Sequence, residues 1–429
     1  MEQQYGHLLC ITHYWQTSDM KITPILFVLT ALPLQANTLS EADIVRIHKN
    51  AITIDTHVDI PEDFASETFD ALSNNRPLSQ VDIQRMQAGG LDAAFFIVYT
   101  SQGPLQAHGY SQALAGAFDK FSDIRRMTDV QYSEDIALAL NSTDIRQFHK
   151  ENKRIALIGV ENGYPIGENI NLLDVFFNYG ARYFGLVHNG HNQLADSAQP
   201  RAELGDEATK HNGISELGKQ VVERCNELGI MVDVSHASEK STLDMIDASV
   251  APVIASHSSA FTKRNHPRNL SDKALQALAV KGGVVQTVAF DSYLNPVAEQ
   301  KSQAIKSMRL ELGLETREKL SNADPDTWLI HQARMADIHQ KWPRSSVSDL
   351  VDHIDYLVEL IGIEHVGISS DFHGGGGVEG WDSAAQSLNI SRELLARGYS
   401  EQQVKLIWGE NLLRVMQTVE QVASSWPTN

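Results

Sequence analysis

The sequence predicts an α/β chain folded as a (β/α)8, TIM-like barrel, and three observations carry that expectation. Eight short apolar, β-branched runs recur along the 429 residues. Amphipathic stretches of helical period separate most of them. Histidine or acidic residues stand at the ends of six of the runs, the position where barrel enzymes assemble their sites. Alternation by itself would also fit a doubly wound open sheet.

Taken in order, Ser40-Glu41-Ala42-Asp43 has the form of a capping box and opens a helix through about Asn50. The first strand is AITIDT (51–56), within the longer AITIDTHVDIP that ends on His57 and Asp59. Side chains at i and i+2 leave the same face of a strand, so this imidazole and carboxylate emerge together and can share a cation. The plainer reading is a polar strand end that meets solvent. DAAFFIVY (92–99) is the second strand, and RIALIGV (154–160) the third, followed by Glu161. ARYFGLV (181–187) leads to His188, and a helix over 214–229 leads to GIMVDVS (229–235) and His236. A helix over 238–249 precedes APVIAS (251–256) and His257, and GGVVQTVAF (282–290) is the seventh strand. Residues 291–345 exceed an ordinary connection and are charged, as in KSMRLELGLETREK; they predict a helical excursion, a lid or subunit contact, or simply a solvated face. HVGISS (365–370) closes the set and delivers Asp371.

No linker, internal repeat or low-complexity tract interrupts residues 37–429, which are expected to form a single domain. A composition of 42% apolar and 21% charged residues is that of a globular protein with a large core. The net charge of -19 argues against nucleic acid and against anionic membrane surfaces as partners. Residues 1–36 read as a leader: MKITPILFVLTALPLQANT, from Met20, has a lysine, an apolar run too short to span a bilayer and small residues around Ala36. Met20 is the expected true start, and export to a bacterial periplasm or beyond is the expected localisation. Cleavage near Ala36 leaves Cys225 alone, with no intramolecular disulfide.

Six strand ends bearing His, Asp or Glu are hard to explain as packing, because burying such groups unpaired costs several kcal/mol each. Three histidines, an aspartate and a glutamate exceed what one tetrahedral ion with an open position needs, and suit two. A pair of divalent cations about 3.5 Å apart, bridged by Glu161, can share a water and deprotonate it at neutral pH. The mixed nitrogen and oxygen set favours zinc, with manganese or iron as alternatives.

These residues lie in motifs that together resemble the membrane (renal) dipeptidases, peptidase family M19, in a bacterial secreted version. The resemblance runs through IDTHVDIP, GVENG, GLVHN, GIMVDVSHAS, PVIASHSSA, RNL, SSDFHGGG and WGENLLRVM. It implies a barrel of the metal-dependent hydrolase type that cleaves dipeptides to free amino acids with two Zn2+ bridged by Glu161 and a hydroxide. By the same resemblance, His57 and Asp59 hold one zinc and His236 and His257 the other. His188 stabilises the developing oxyanion, Arg268 clamps the substrate's terminal carboxylate, and Asp371 carries the proton between water and leaving amine. A homodimer is also implied.

The chain departs from the family pattern at His373, where DFHG replaces DFDG; an effect on the amine pocket and on substrate preference is expected. His191 competes with His188 for the substrate role. His211 and His266 are expected to face solvent, and His365 to lie at the end opposite the site. The run Gly374–Gly377 is expected to turn the backbone sharply beside the metals. Two further functions fit the same residues: hydrolysis of another small amide, such as an N-acyl amino acid or a β-lactam, and peptide binding or maturation with weak catalysis.

Overall fold

Eight parallel strands lie side by side in the order β1 (Ile54–Asp59), β2 (Ala93–Tyr99), β4 (Arg154–Glu161), β5 (Ala181–Gly185), β6 (Met231–Asp233), β7 (Ile254–Ser258), β8 (Val284–Val288) and β9 (Val366–Ser369). The ring closes where the chain beyond β9 meets β1: Val58 bridges Phe372, Asp59 N–H donates to Phe372 O (2.9 Å), and Asp371 N–H donates to His57 O (3.1 Å). A closed parallel ring with helices outside it is the predicted barrel. These coordinates are a computed structural model that describes residues 39–61, 64, 70–72, 79–316, 319–320 and 323–427. Ser40–Asn429 form one compact unit. The leader read over residues 1–36 lies outside the described residues, among which no helix is long and apolar enough to cross a membrane.

Two apolar layers hold the ring. Ile54, Phe95, Ile97, Ile155, Leu157, Tyr183, Met231, Ile254 and Val284 fill the interior, together with Leu412, Val415, Met416 and Val419 of the final helix, Asn411–Ser424. That helix plugs the N-terminal end: Arg414 donates to Gly282 O (2.8 Å), just before β8. Val58, Phe96, Val98, Ile158, Val160, Phe184, Val232, Val285 and Ile368 face outward and meet the surrounding helices. Each such side chain, fully buried, contributes about 1.5–3 kcal/mol. Gly159 lets the interior fill, since a Cβ there would lie 2.1 Å from the Tyr183 ring.

The eight predicted runs match the eight barrel strands, with shifted ends. β1 extends through His57 and Asp59 because β2 supplies backbone partners that far, Val58 against Phe96 and Asp59 against Ile97. β5 and β6 stop early, leaving His188 and His236 each three residues past the last paired residue. A ninth strand, β3 (Ile136–Leu138), pairs only with Arg154–Ala156 of β4 and was not anticipated. The first helix runs Glu41–Lys49 with the Ser40/Asp43 capping box in place. Residues 291–345 contain helices Asp291–Leu294, Glu299–Glu311 and Pro325–Lys341.

Candidate active site

The residues singled out at the strand ends converge on Glu161, the last residue of β4. Its Oε2 lies 3.6 Å from His57 Nε2, while Oε1 lies 2.9 Å from His236 Nε2, 3.3 Å from His257 Nε2 and 3.9 Å from His188 Nε2. The two oxygens of one carboxylate are thus divided between β1 on one side and the β6 and β7 ends on the other. Asp59 and Asp371 join His57 within 4.8 Å of one another. Barrel closure explains that grouping, because the Asp371 to His57 backbone bond is the seam itself.

Local irregularity aims the two buried rings. Ile54 belongs to the interior layer and Val58 to the outer one, which strict alternation would place on a single face. The β1–β2 register slips between Asp55 and Val58, and the β7–β8 register slips between Ala255 and Ser258. His57 and His257 sit in those slips, a common device for re-aiming a side chain at a site. Of the six non-glycine residues with positive φ among the described residues, His236 (68°), Asp371 (55°) and His373 (61°) lie on the loops that cap this end. Such angles are uncommon outside glycine and collect at functional sites. Gly374 passes so close that a Cβ would lie 1.9 Å from Asp371 Oδ1 and 2.4 Å from Asp59 Oδ2. Gly374 therefore makes room for two carboxylates, while Gly375 (φ 124°) and Gly377 (φ 105°) turn the backbone, the part expected of the run.

The hydrogen bonds behind the rings set what each presents at the centre. His57 Nδ1 meets the Tyr183 hydroxyl (2.9 Å), whose proton goes to Thr56 O (3.2 Å). His257 Nδ1 meets Ser256 Oγ (2.8 Å), whose proton goes to Asp233 Oδ2 (2.6 Å). His236 Nδ1 meets Asn189 Oδ1 (3.1 Å), an acceptor. In each case Nδ1 is the donor, so the neutral ring turns the Nε2 lone pair toward Glu161. His236 Nε2 and His257 Nε2 are only 3.0 Å apart. Lone pairs facing lone pairs and a carboxylate repel, and divalent cations among them remove the conflict. This donor set fits metal ions.

The electrostatics agree. Burial holds His236 and His257 well below the usual imidazole range, with the Arg268 charge acting in the same direction, so both stay neutral. Burial would also depress His57, but Glu161, Asp59 and Asp371 outweigh it and raise the ring to about 9. Burial would raise Glu161; the rings of His57 and His188 and the bonds to His236 and His257 reverse that and hold it well below its usual range. Asp371 is pushed up to about 8 by burial, reinforced by Asp59 and Glu161 and opposed by His57 and Arg268. The centre demands positive charge beside His57 and lets Asp371 hold a proton near neutrality.

His188 is half-buried, its ring 4.7 Å from Tyr99 and 4.0 Å from His236, and so borders both the centre and the opening. His191 does not compete: it is buried with Nε2 on Glu207 O (3.0 Å) and Nδ1 accepting from Ser197 N–H (3.0 Å). Arg268 is buried, donates from Nη2 to His257 O (3.3 Å), and lies 5.6 Å from the Tyr293 ring, with no hydrogen-bond partner at Nε among the described residues.

Two histidines differ from expectation, and a third, His373, is tied into the site's backbone: Nε2 accepts from Gln80 N–H (2.8 Å), so Nδ1 donates to Asp59 O (3.1 Å), strapping the glycine loop to the backbone of β1. His266 is half-buried against Tyr293 (4.5 Å) and accepts from Arg268 N–H (3.2 Å), which anchors the arginine loop. His211 is half-buried and bonded to Asn192 O (2.8 Å). His365 lies at the far end on Gly283 O (2.8 Å), as expected. Tyr183, Asn189, Ser256 and Asp233 were not foreseen; period-two alternation within ARYFGLV and GIMVDVS was the only available signal for inward placement.

The family model described as "Membrane dipeptidase (Peptidase family M19)" matches residues 41–429. The chain belongs to this family. It is similar to dipeptidase tcpJ of Claviceps purpurea, 30% identical over 80% of this chain and 70% of that one. Dipeptidase aclJ of Aspergillus oryzae is 29% identical over 81% of this chain and 71% of its own length. Among solved structures, the probable dipeptidase PvdM from Pseudomonas aeruginosa is 30% identical with a TM-score of 0.77, covering 89% of this chain and 98% of that chain. A metallopeptidase from Rhodobacter sphaeroides, solved with a phosphinate mimic of L-Ala-D-Ala, shares the fold at 20% identity and a TM-score of 0.65, covering 86% of this chain and 99% of that one. The M19 chain described here is accordingly a peptide-bond hydrolase of the metallo-dipeptidase type.

Proposed function

We propose that this M19 enzyme cleaves dipeptides with two divalent cations, zinc by the chemistry of the donors. His57, Asp59 and Glu161 would hold one, and Glu161, His236 and His257 the other. The carrying observation is the split carboxylate: Glu161 turns one oxygen toward His57 and the other toward His236 and His257. When bound, such a pair supplies Lewis acidity and a water activated for attack at neutral pH.

The chain's own residues do the rest. Arg268 holds a planar guanidinium beside the centre, able to pair with the terminal carboxylate of a dipeptide. A longer peptide places no carboxylate at that distance, so exopeptidase specificity follows from geometry. His188, at the opening, donates to the carbonyl oxygen as negative charge develops there. Asp371, grouped with His57 and Asp59 at the centre, is placed to pass a proton from the attacking water to the leaving amine. The leader-like residues before position 37 support an exported enzyme.

The test pairs metal analysis with a substrate panel. Two zinc ions per chain and cleavage of dipeptides, with dipeptide amides and N-acyl amino acids poorly hydrolysed, are the expected results. Equal rates on the amides would remove Arg268 from its role. Undiminished cleavage after chelation would remove the metals.

A further inference from the structure

We propose that Asp233 and Ser256 form a directional relay that fixes which ring nitrogen of His257 faces Glu161. The inference rests on the metal reading above and adds two positioning residues that touch neither substrate nor metal. It starts from the seam between β6 and β7, where the only paired register position is Asp233 against Ile254. Beyond that pair the seam is held largely by side chains, although β6 and β7 carry His236 and His257. Asp233 Oδ1 accepts from Ser235 N–H (3.0 Å) and Ser256 N–H (2.8 Å). Its Oδ2 accepts from the Ser256 hydroxyl (2.6 Å), leaving that hydroxyl to accept from His257 Nδ1–H (2.8 Å). Asp233, Ser256 and His257 are all buried, so water does not compete for these bonds.

The relay has a direction because an ionised carboxylate can only accept. Ser256 must spend its proton on Asp233, His257 must spend its own on Ser256, and Nε2 is left with the lone pair a metal requires. His57 and His236 obtain the same result from a tyrosine hydroxyl and an amide oxygen. At His257 alone it depends on a charge two bonds away.

That dependence yields an ordering that simple packing would not. In Asp233→Asn, the two backbone N–H groups keep the amide oxygen in the Oδ1 position, so the NH2 group must occupy Oδ2. It then donates to Ser256, whose proton turns toward His257 Nδ1. The ring proton is driven to Nε2, where it blocks ligation, a tautomer fault of the kind an Asp-to-Asn change causes elsewhere. Ser256→Ala removes the relay and frees the ring to take either tautomer. The milder steric change should therefore do the greater harm.

Zinc titration of the purified, metal-stripped chain against a competing chelator tests this, with thermal melts to verify folding. Ser256→Ala should weaken one of the two sites about 10-fold and Asp233→Asn about 100-fold, with the other site kept. Ser256→Thr, which retains the hydroxyl, should hold wild-type affinity and decides the matter if Asp233→Asn does not fold. Nitrogen-15 histidine spectra of the metal-free proteins should show Nδ1–H at His257 in the wild type and Nε2–H in Asp233→Asn. Wild-type zinc affinity in Asp233→Asn, the same His257 tautomer in both, or equal losses in Ser256→Ala and Ser256→Thr would overturn the relay. If the wild type binds no zinc, the metal reading fails, while the tautomer comparison still decides the relay.

Discussion

At the N-terminal end of the barrel, buried charge meets its complement. Asp92 accepts from Thr53 N–H (3.1 Å) and Thr53 Oγ1 (3.2 Å), and His149 Nδ1 lies 3.1 Å from the same carboxylate. Arg154 Nη1 lies 3.4 Å from Asp92 and donates to Leu91 O (2.9 Å). At the opposite end the residue types are similar, but acceptors face acceptors: the Nε2 lone pairs of His236 and His257 converge on Glu161 Oε1 within 3.3 Å. A cluster of opposite charges contributes to stability, whereas one in which acceptors face acceptors calls for something positive among them, and the bonds at Tyr183, Asn189 and Ser256 keep the Nε2 atoms turned inward.

The largest break in this comparison should come from Glu161→Gln. The shape is kept and the bridging charge lost, so metal content should fall below two per chain. Dipeptide kcat/KM should drop by about 10³-fold or more, roughly 4 kcal/mol of transition-state stabilisation. Retained hydrolysis would mean that Glu161 is not the centre. Arg268→Ala should reduce kcat/KM on dipeptides by about 10²-fold, the worth of a charge-assisted pair, and leave metal content intact. The same variant should lose most of its preference for a dipeptide over its amide, a ratio that steady-state kinetics reads directly.

At the other end the signature inverts. Asp92→Ala strands Arg154 and Thr53 N–H, so stability to urea should fall by about 3 kcal/mol with kcat/KM unchanged. A drop in activity at full stability would mean the two ends are coupled. Smallest is Ser346→Ala, which removes the capping box of helix Val347–Ile361 and should cost about 1 kcal/mol with no change in metal content or rate.

The sequence carried the barrel because buried parallel strands are written as apolar runs, and eight of these survive in the structure. β3 left no such trace: three residues, IAL, are too few to show a period. The converging residues were legible as strand ends, yet their aim was not. Alternation from Ile54 turns His57 outward, and only the slip against β2 turns it in. The bonds that matter most around the rings end on backbone oxygens or on residues that read as core. Tyr183 looked like packing inside ARYFGLV, and His373 donates to Asp59 O, an acceptor that every residue possesses. Backbone partners have no identity in a sequence, so His373 could be seen as a departure without its role being seen.

Anomalous diffraction at the zinc edge from crystals of the metal-loaded chain addresses the central claim most directly. Two peaks flanking the Glu161 carboxylate, one toward His57 and Asp59 and one toward His236 and His257, are the predicted result. No peak beside Glu161, or a single ion that leaves either histidine set unligated, would contradict it.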